Sequence, residues 1–207
     1  MKTKIAIVSL LTVLLVTKAG AQNGVTFGLR AGINFQNLTG KDEAGDKYSN
    51  KLKTGFNIGA NAEIPVATDF YLQPGVLFST KGAKYNDNDS KTNLSYIEIP
   101  VNFLYKPVLG EGKLLLGVGP YAAFAVGGKF KSGGISSDIN FGSNADDDVK
   151  RFDAGANFLF GYELSNHLSA QLNAGLGLVN ISNRQPGDTK SSLKNTGFGV
   201  SLGYRFE

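Results

Sequence analysis

The residues that could carry chemistry are few. The chain has one histidine, His167, and no cysteine. Nucleophilic catalysis of the Ser–His–Asp kind needs a base held by a carboxylate and aimed at a hydroxyl, and a lone histidine beside Asn166 signals no such geometry. With no thiolate and one imidazole, a zinc site lacks its usual donors. Gly110-Glu-Gly-Lys113 has glycines and a lysine but neither the spacing of a phosphate loop nor a helix after it, so it reads as a tight turn. Asp87-Asn-Asp89 and Asp146-Asp-Asp148 could gather calcium, yet neither continues into the glycine and closing glutamate of a calcium loop, and solvated loop charge is the reading. No cofactor, no metal and no enzymatic activity are indicated.

More informative are seven charges set within otherwise uncharged stretches: Arg30, Glu63, Glu98, Lys106, Asp153, Glu163 and Arg205. Each occupies the polar phase of a period-two pattern. Val25, Phe27, Leu29, Ala31, Ile33 and Phe35 alternate with Thr26, Gly28, Arg30, Gly32, Asn34 and Gln36. The same period recurs over 56–64, 72–78, 97–105, 114–126, 152–164, 168–178 and 198–206. Alternation of this kind is the mark of strands, not helices. The third stretch is the least regular, because Pro74 cannot donate to a ladder.

Nothing on the apolar phase is charged, although 18% of the whole chain is. A lysine or arginine facing lipid at the bilayer midplane costs about 2–4 kcal/mol, so a charge-free face is what hydrocarbon imposes. The opposite phase is mostly Gly, Asn and Ser, small residues suited to a narrow interior. A soluble lipocalin-like carrier would need that second face to meet water and would fill it with Lys and Glu. The pattern therefore predicts an all-β fold: an eight-stranded antiparallel up-and-down barrel crossing a membrane. Long polar connections (37–53, 81–93, 127–150, 180–193) alternate with short ones (66–69, 107–112, 165–167), as in outer-membrane barrels.

Met1-Lys-Thr-Lys4, the apolar run 5–16 and Ala19-Gly20-Ala21 read as a signal peptide over 1–21, leaving a barrel domain over 22–207. The apolar run is too short for a membrane helix, which needs about 20 residues. The formal charge of +4, less the three lysines of that segment, leaves +1, which gives no electrostatic reason to expect nucleic acid. Lack of cysteine suits export through an oxidising compartment.

Leu72-Gln-Pro-Gly75, Phe78-Ser-Thr-Lys-Gly82, Tyr96-Ile-Glu-Ile-Pro100 with 101–106, and Gly119-Pro-Tyr121 resemble the PorT-type outer-membrane β-barrel family. The resemblance covers about residues 24–207. It implies a small barrel of the OmpX- or OmpA-like kind, located in the outer membrane of a Gram-negative bacterium, with no family catalytic residues to carry over. Glu207 follows Phe206, so the terminal aromatic that assembly machinery reads is displaced by one residue. The expected partners are outer-membrane lipid, that machinery, and an extracellular ligand or protein engaged through the long loops. The expected role is structural or surface interaction. A narrow channel is the alternative, with the seven charges acting either as interior cement or as a constriction.

Overall fold

The computed structural model describes residues 24–86, 90–142, 144, 147–183 and 190–206. The expected signal peptide lies outside these residues, as do residues 87–89, Asp146 and Glu207. Eight long strands make the molecule: β1 (Thr26–Lys41), β2 (Lys53–Ala67), β3 (Phe70–Tyr85), β4 (Lys91–Tyr105), β5 (Gly112–Ser132), β6 (Phe152–Glu163), β7 (Leu168–Gly177) and β8 (Ser192–Phe206). Three short strands attach to them: Asn50–Lys51 beside β3, Val108–Leu109 beside the start of β5, and Ile135–Asp138 folded back on the end of β5.

Each long strand pairs antiparallel with the next in sequence, and β1 closes on β8 from Phe27↔Phe206 to Lys41↔Ser192. Hydrocarbon offers no water to satisfy a free edge, so closure is the only way such a sheet can cross it. Paired residues followed once around the ring run from Pro65 through Tyr71, Leu104, Gly117, Leu159, Asn173, Gly199 and Asn34 to Gly55. The path returns ten residues along its starting strand. A stagger of that size tilts the strands by roughly 40°. Pro74 is accommodated opposite Val101, and β3 pairs on both sides.

The alternating residues face as their hydropathy requires. Phe158, Leu172 and Val200 stand on the outer wall with 46%, 54% and 50% of their surface exposed, while Asn157 and Asn173 line the interior. At the short-turn end the chain reverses at Asp69 and His167, both in left-handed backbone (φ 62° and 67°). That conformation is uncommon for non-glycine residues outside tight turns. The short turns mark the periplasmic end.

Two expectations need correction. The connections are shorter than the polar composition suggested: β1 continues to Lys41, β3 to Tyr85, β4 begins at Lys91 and β5 runs to Ser132. Above the bilayer a strand wall needs no apolar outer face, so composition stops reporting it while pairing continues. The interior is also not uniformly small and polar. Leu38, Ala83, Leu94, Tyr96, Tyr121, Ala123, Ala125, Val149 and Ile181 pack together at the outer end, and Leu104, Leu115 and Leu159 pack against Tyr71 further down.

Candidate functional site

The inward phase of β4, continued one residue past its end, samples the lumen from outside to periplasm: Leu94, Tyr96, Glu98, Pro100, Asn102, Leu104 and Lys106, all buried. Strand geometry places every second side chain on the same face, so this one strand contributes to an apolar layer, two charged layers and the amides between them.

At the periplasmic end, the ammonium of Lys106, only 2% exposed, bridges Glu63 Oε2 at 2.6 Å and Glu163 Oε2 at 2.9 Å. Arg205 grips the other oxygen of Glu163, donating from Nε at 3.1 Å and Nη2 at 3.0 Å. Its Nη2 also lies 2.6 Å from Nδ1 of His167, which ties the turn histidine to this cluster. Gln73 donates to Glu63, and Asn102 donates to Gln73. Two cations and two carboxylates therefore balance, with every charge held by at least one partner. Buried charges require such pairing to offset their lost hydration.

A second cluster sits in the outer half. Lys81 reaches Glu98 Oε2 at 2.8 Å and Asp153 Oδ2 at 3.3 Å. Asp153, fully buried, also accepts from the Tyr121 hydroxyl at 3.2 Å and from Asn195 at 3.0 Å. The Lys81 ammonium stands over the rings of Tyr121, at 4.3 Å from the centroid, and Tyr96, at 5.3 Å. Such contacts favour a desolvated cation. Arg30 donates to Asn173 at 3.0 Å and interacts electrostatically with Glu98. With Arg30 counted, this cluster too is neutral.

Between the clusters lies a cavity of about 60 Å³ walled by Arg30, Asn34, Asn57, Asn102, Asn157 and Asn173. That volume holds a few waters. Above the outer cluster the mouth is covered: Lys150 donates to the Ile181 carbonyl and Ile181 to that of Leu193, which ties the segments near 149 and 181 across the apolar layer.

All seven sequence-predicted charges point inward. Glu63, Lys106, Glu163 and Arg205 meet in one cluster, and Glu98, Asp153 and Arg30 meet in the other. The sequence reading missed Lys81, which joins the outer cluster, because it was placed in a loop. Its parity gave the signal, since Lys81 shares the inward phase of Gln73, Leu77 and Ser79. Tyr96, Tyr121 and Asn195 were missed as well. The remaining candidates among the described residues hold local backbone. Asp148 accepts from the Asn140 amide, and Asp147 accepts from that of Asn144. Gly110, in left-handed backbone, forms the turn between Val108–Leu109 and the start of β5.

Three solved protein structures are similar to this one. The Ail protein of Yersinia pestis, solved with the heparin analogue sucrose octasulfate, is 15% identical, covers 88% of this chain and 99% of its own, and gives a TM-score of 0.45. Neisserial surface protein A is 13% identical over 88% of this chain and 99% of its own, with a TM-score of 0.50. OprG of Pseudomonas aeruginosa is 12% identical over 89% and 97%, with a TM-score of 0.48. At such identities the likeness is one of fold. No curated protein sequence matches. The model of the family described as outer membrane protein beta-barrel domain matches residues 20–183. The chain belongs to that outer membrane protein beta-barrel family and resides in the bacterial outer membrane.

Proposed function

We propose that the chain is a non-conducting outer-membrane barrel that serves as a rigid mount for its extracellular segments, which make its contacts with ligand or protein. The observation that carries this reading is the filled lumen: two ion-pair clusters separated by a cavity of about 60 Å³ and covered by an apolar layer. Eight strands enclose an interior that side chains can fill, so a wide pore is not available to this architecture. Arg30, Glu63, Glu98, Lys106, Asp153, Glu163 and Arg205, together with Lys81, then act as interior cement. Recognition through mobile segments on a stiff scaffold is a common division of labour. No enzymatic reaction is assigned, since His167 is engaged by Arg205 at the periplasmic end.

Kinship with the PorT-type barrels is supported by where the matching segments meet. Lys81 of Phe78–Gly82, Tyr96 and Glu98 of Tyr96–Pro100, and Tyr121 of Gly119–Tyr121 gather around one ammonium. Outer-membrane lipid and the assembly machinery are the further partners of this reading.

Planar-bilayer recording tests it. The reconstituted barrel is expected to give no reproducible unitary steps. Steps that change in size when Arg30→Ala or Glu98→Gln is introduced would establish the second reading, a narrow conduit, which the polar cavity between the clusters favours.

A further inference from the structure

Four lysines face one another across four adjacent strands on the outer wall. Lys51 pairs with Lys84, Lys84 with Lys91, and Lys91 with Lys131. Directly opposed residues in antiparallel strands share a face and lie close, so like charges in that register repel. Among the described residues none of the four has an acidic partner in an ion pair. Asp87 and Asp89, between Lys84 and Lys91 in sequence, lie outside the described residues.

The wall is built to present this row. Along β5 the outward residues up to Val126 are apolar, ending with Phe124 and Val126. The register then shifts: Tyr96 opposes Ala125 but Ser95 opposes Gly127, so Val126 is an extra residue in the strand. A bulge of one residue inverts the alternation. Above it Gly128 and Phe130 turn inward beside Leu94 and Thr92, while Lys129 and Lys131 turn outward. The last apolar row, Phe78, Ile97, Phe124 and Phe152, is followed six residues further along β3 by Lys84. At the strand tilt that is roughly 15 Å higher.

A groove of about 920 Å³ runs along this face, lined by Lys91, Lys129, Lys131 and Arg151 together with Asp138 and Asp147. Lys129 reaches Asp138 at 3.8 Å, and Arg151 is turned to the carbonyls of Ala125 and Phe141. Lys91 and Lys131 are left to face outward.

We propose that this lysine row docks the phosphates of the outer-leaflet glycolipid, lipopolysaccharide, and that each phosphate supplies negative charge that no acid among the described residues brings to the row. Two observations select this occupant. The row continues the lipid-facing wall directly outward from its last apolar layer, at the depth where phosphorylated sugars replace acyl chains. Its charge is of one sign and arrayed along the circumference, as a layer of lipid headgroups is. This site is separate from the loop contacts proposed above and stands or falls without them.

The test uses the full barrel in phosphatidylcholine vesicles carrying phosphorylated lipopolysaccharide, its dephosphorylated counterpart, or no glycolipid with soluble heparin outside. Glycolipid retained after mild detergent extraction is counted by native mass spectrometry. The phosphorylated form is expected to be retained at least tenfold better than the dephosphorylated one, with retention falling as salt rises. The triple variant Lys84→Gln, Lys91→Gln, Lys131→Gln should lose that preference, and the matching triple Lys→Arg variant should keep it. Heat-dependent gel mobility identifies folded barrels, and only these are compared. Equal retention of the two glycolipids, or an unchanged preference in the folded Gln variant, would overturn the proposal. Heparin binding without any glycolipid preference would also overturn it and would assign the row to a soluble polyanion.

Discussion

Lysine is used in opposite ways inside and outside this barrel. Lys81 and Lys106 are buried, and each bridges two carboxylates. Lys51, Lys84, Lys91 and Lys131 are placed against one another on the outer wall above the bilayer. In a narrow interior an unpaired charge loses its hydration with little to replace it, so Lys81 and Lys106 are matched by acids, while the buried Lys53 is held by the Lys81 carbonyl. Beside water and headgroups the same repulsion is screened within about 10 Å, and a like-charged row is tolerated. The surroundings of the ammonium group set which arrangement is stable.

That contrast can be broken most severely at Lys106. Replacing it with alanine leaves Glu63 without its cation, and Glu163 retains only Arg205. Loss of a partner from a buried pair costs about 3–5 kcal/mol, which urea unfolding of the vesicle-inserted barrel would read. An effect under about 1 kcal/mol would mean that water reaches the cluster freely. Next in size is Leu172→Arg on the lipid face, expected to cost about 2–4 kcal/mol in the same titration. A neutral result there would contradict the placement of this wall in hydrocarbon.

Lys81→Met should cost less, about 2–3 kcal/mol, since Tyr121 and Asn195 still donate to Asp153. The same variant sharpens the functional reading if it opens measurable conductance, because it removes the link between the two acids of the outer cluster. The smallest effect is expected at Lys131→Gln. Stability there should stay within about 0.5 kcal/mol, with a slight gain from relieving Lys91. A large loss would show that the outer row is paired in a way that the described residues do not reveal.

Where hydrocarbon constrains both phases of a strand, the sequence was a sufficient guide. Phe158, Leu172 and Val200 face out, and all seven charges chosen from the polar phase point in. Legibility ended at the membrane surface. Lys81 lies in a stretch that composition marks as a loop, although its parity continues that of Leu77 and Ser79. The apolar layer of Leu38, Leu94, Val149 and Ile181 draws on loops and strands distant in sequence, so no local period announces it. The lysine row needs the pairing register and the extra residue at Val126, and neither is encoded in any single strand.

The seam between β1 and β8 has a consequence for biogenesis. Fifteen residue pairs join the first strand to the last, so no intermediate lacking β8 can satisfy its backbone in lipid. Insertion strand by strand would strand two ragged borders in oil until the final segment arrived. The backbone of the nascent molecule is satisfied in oil only once its tail meets its head.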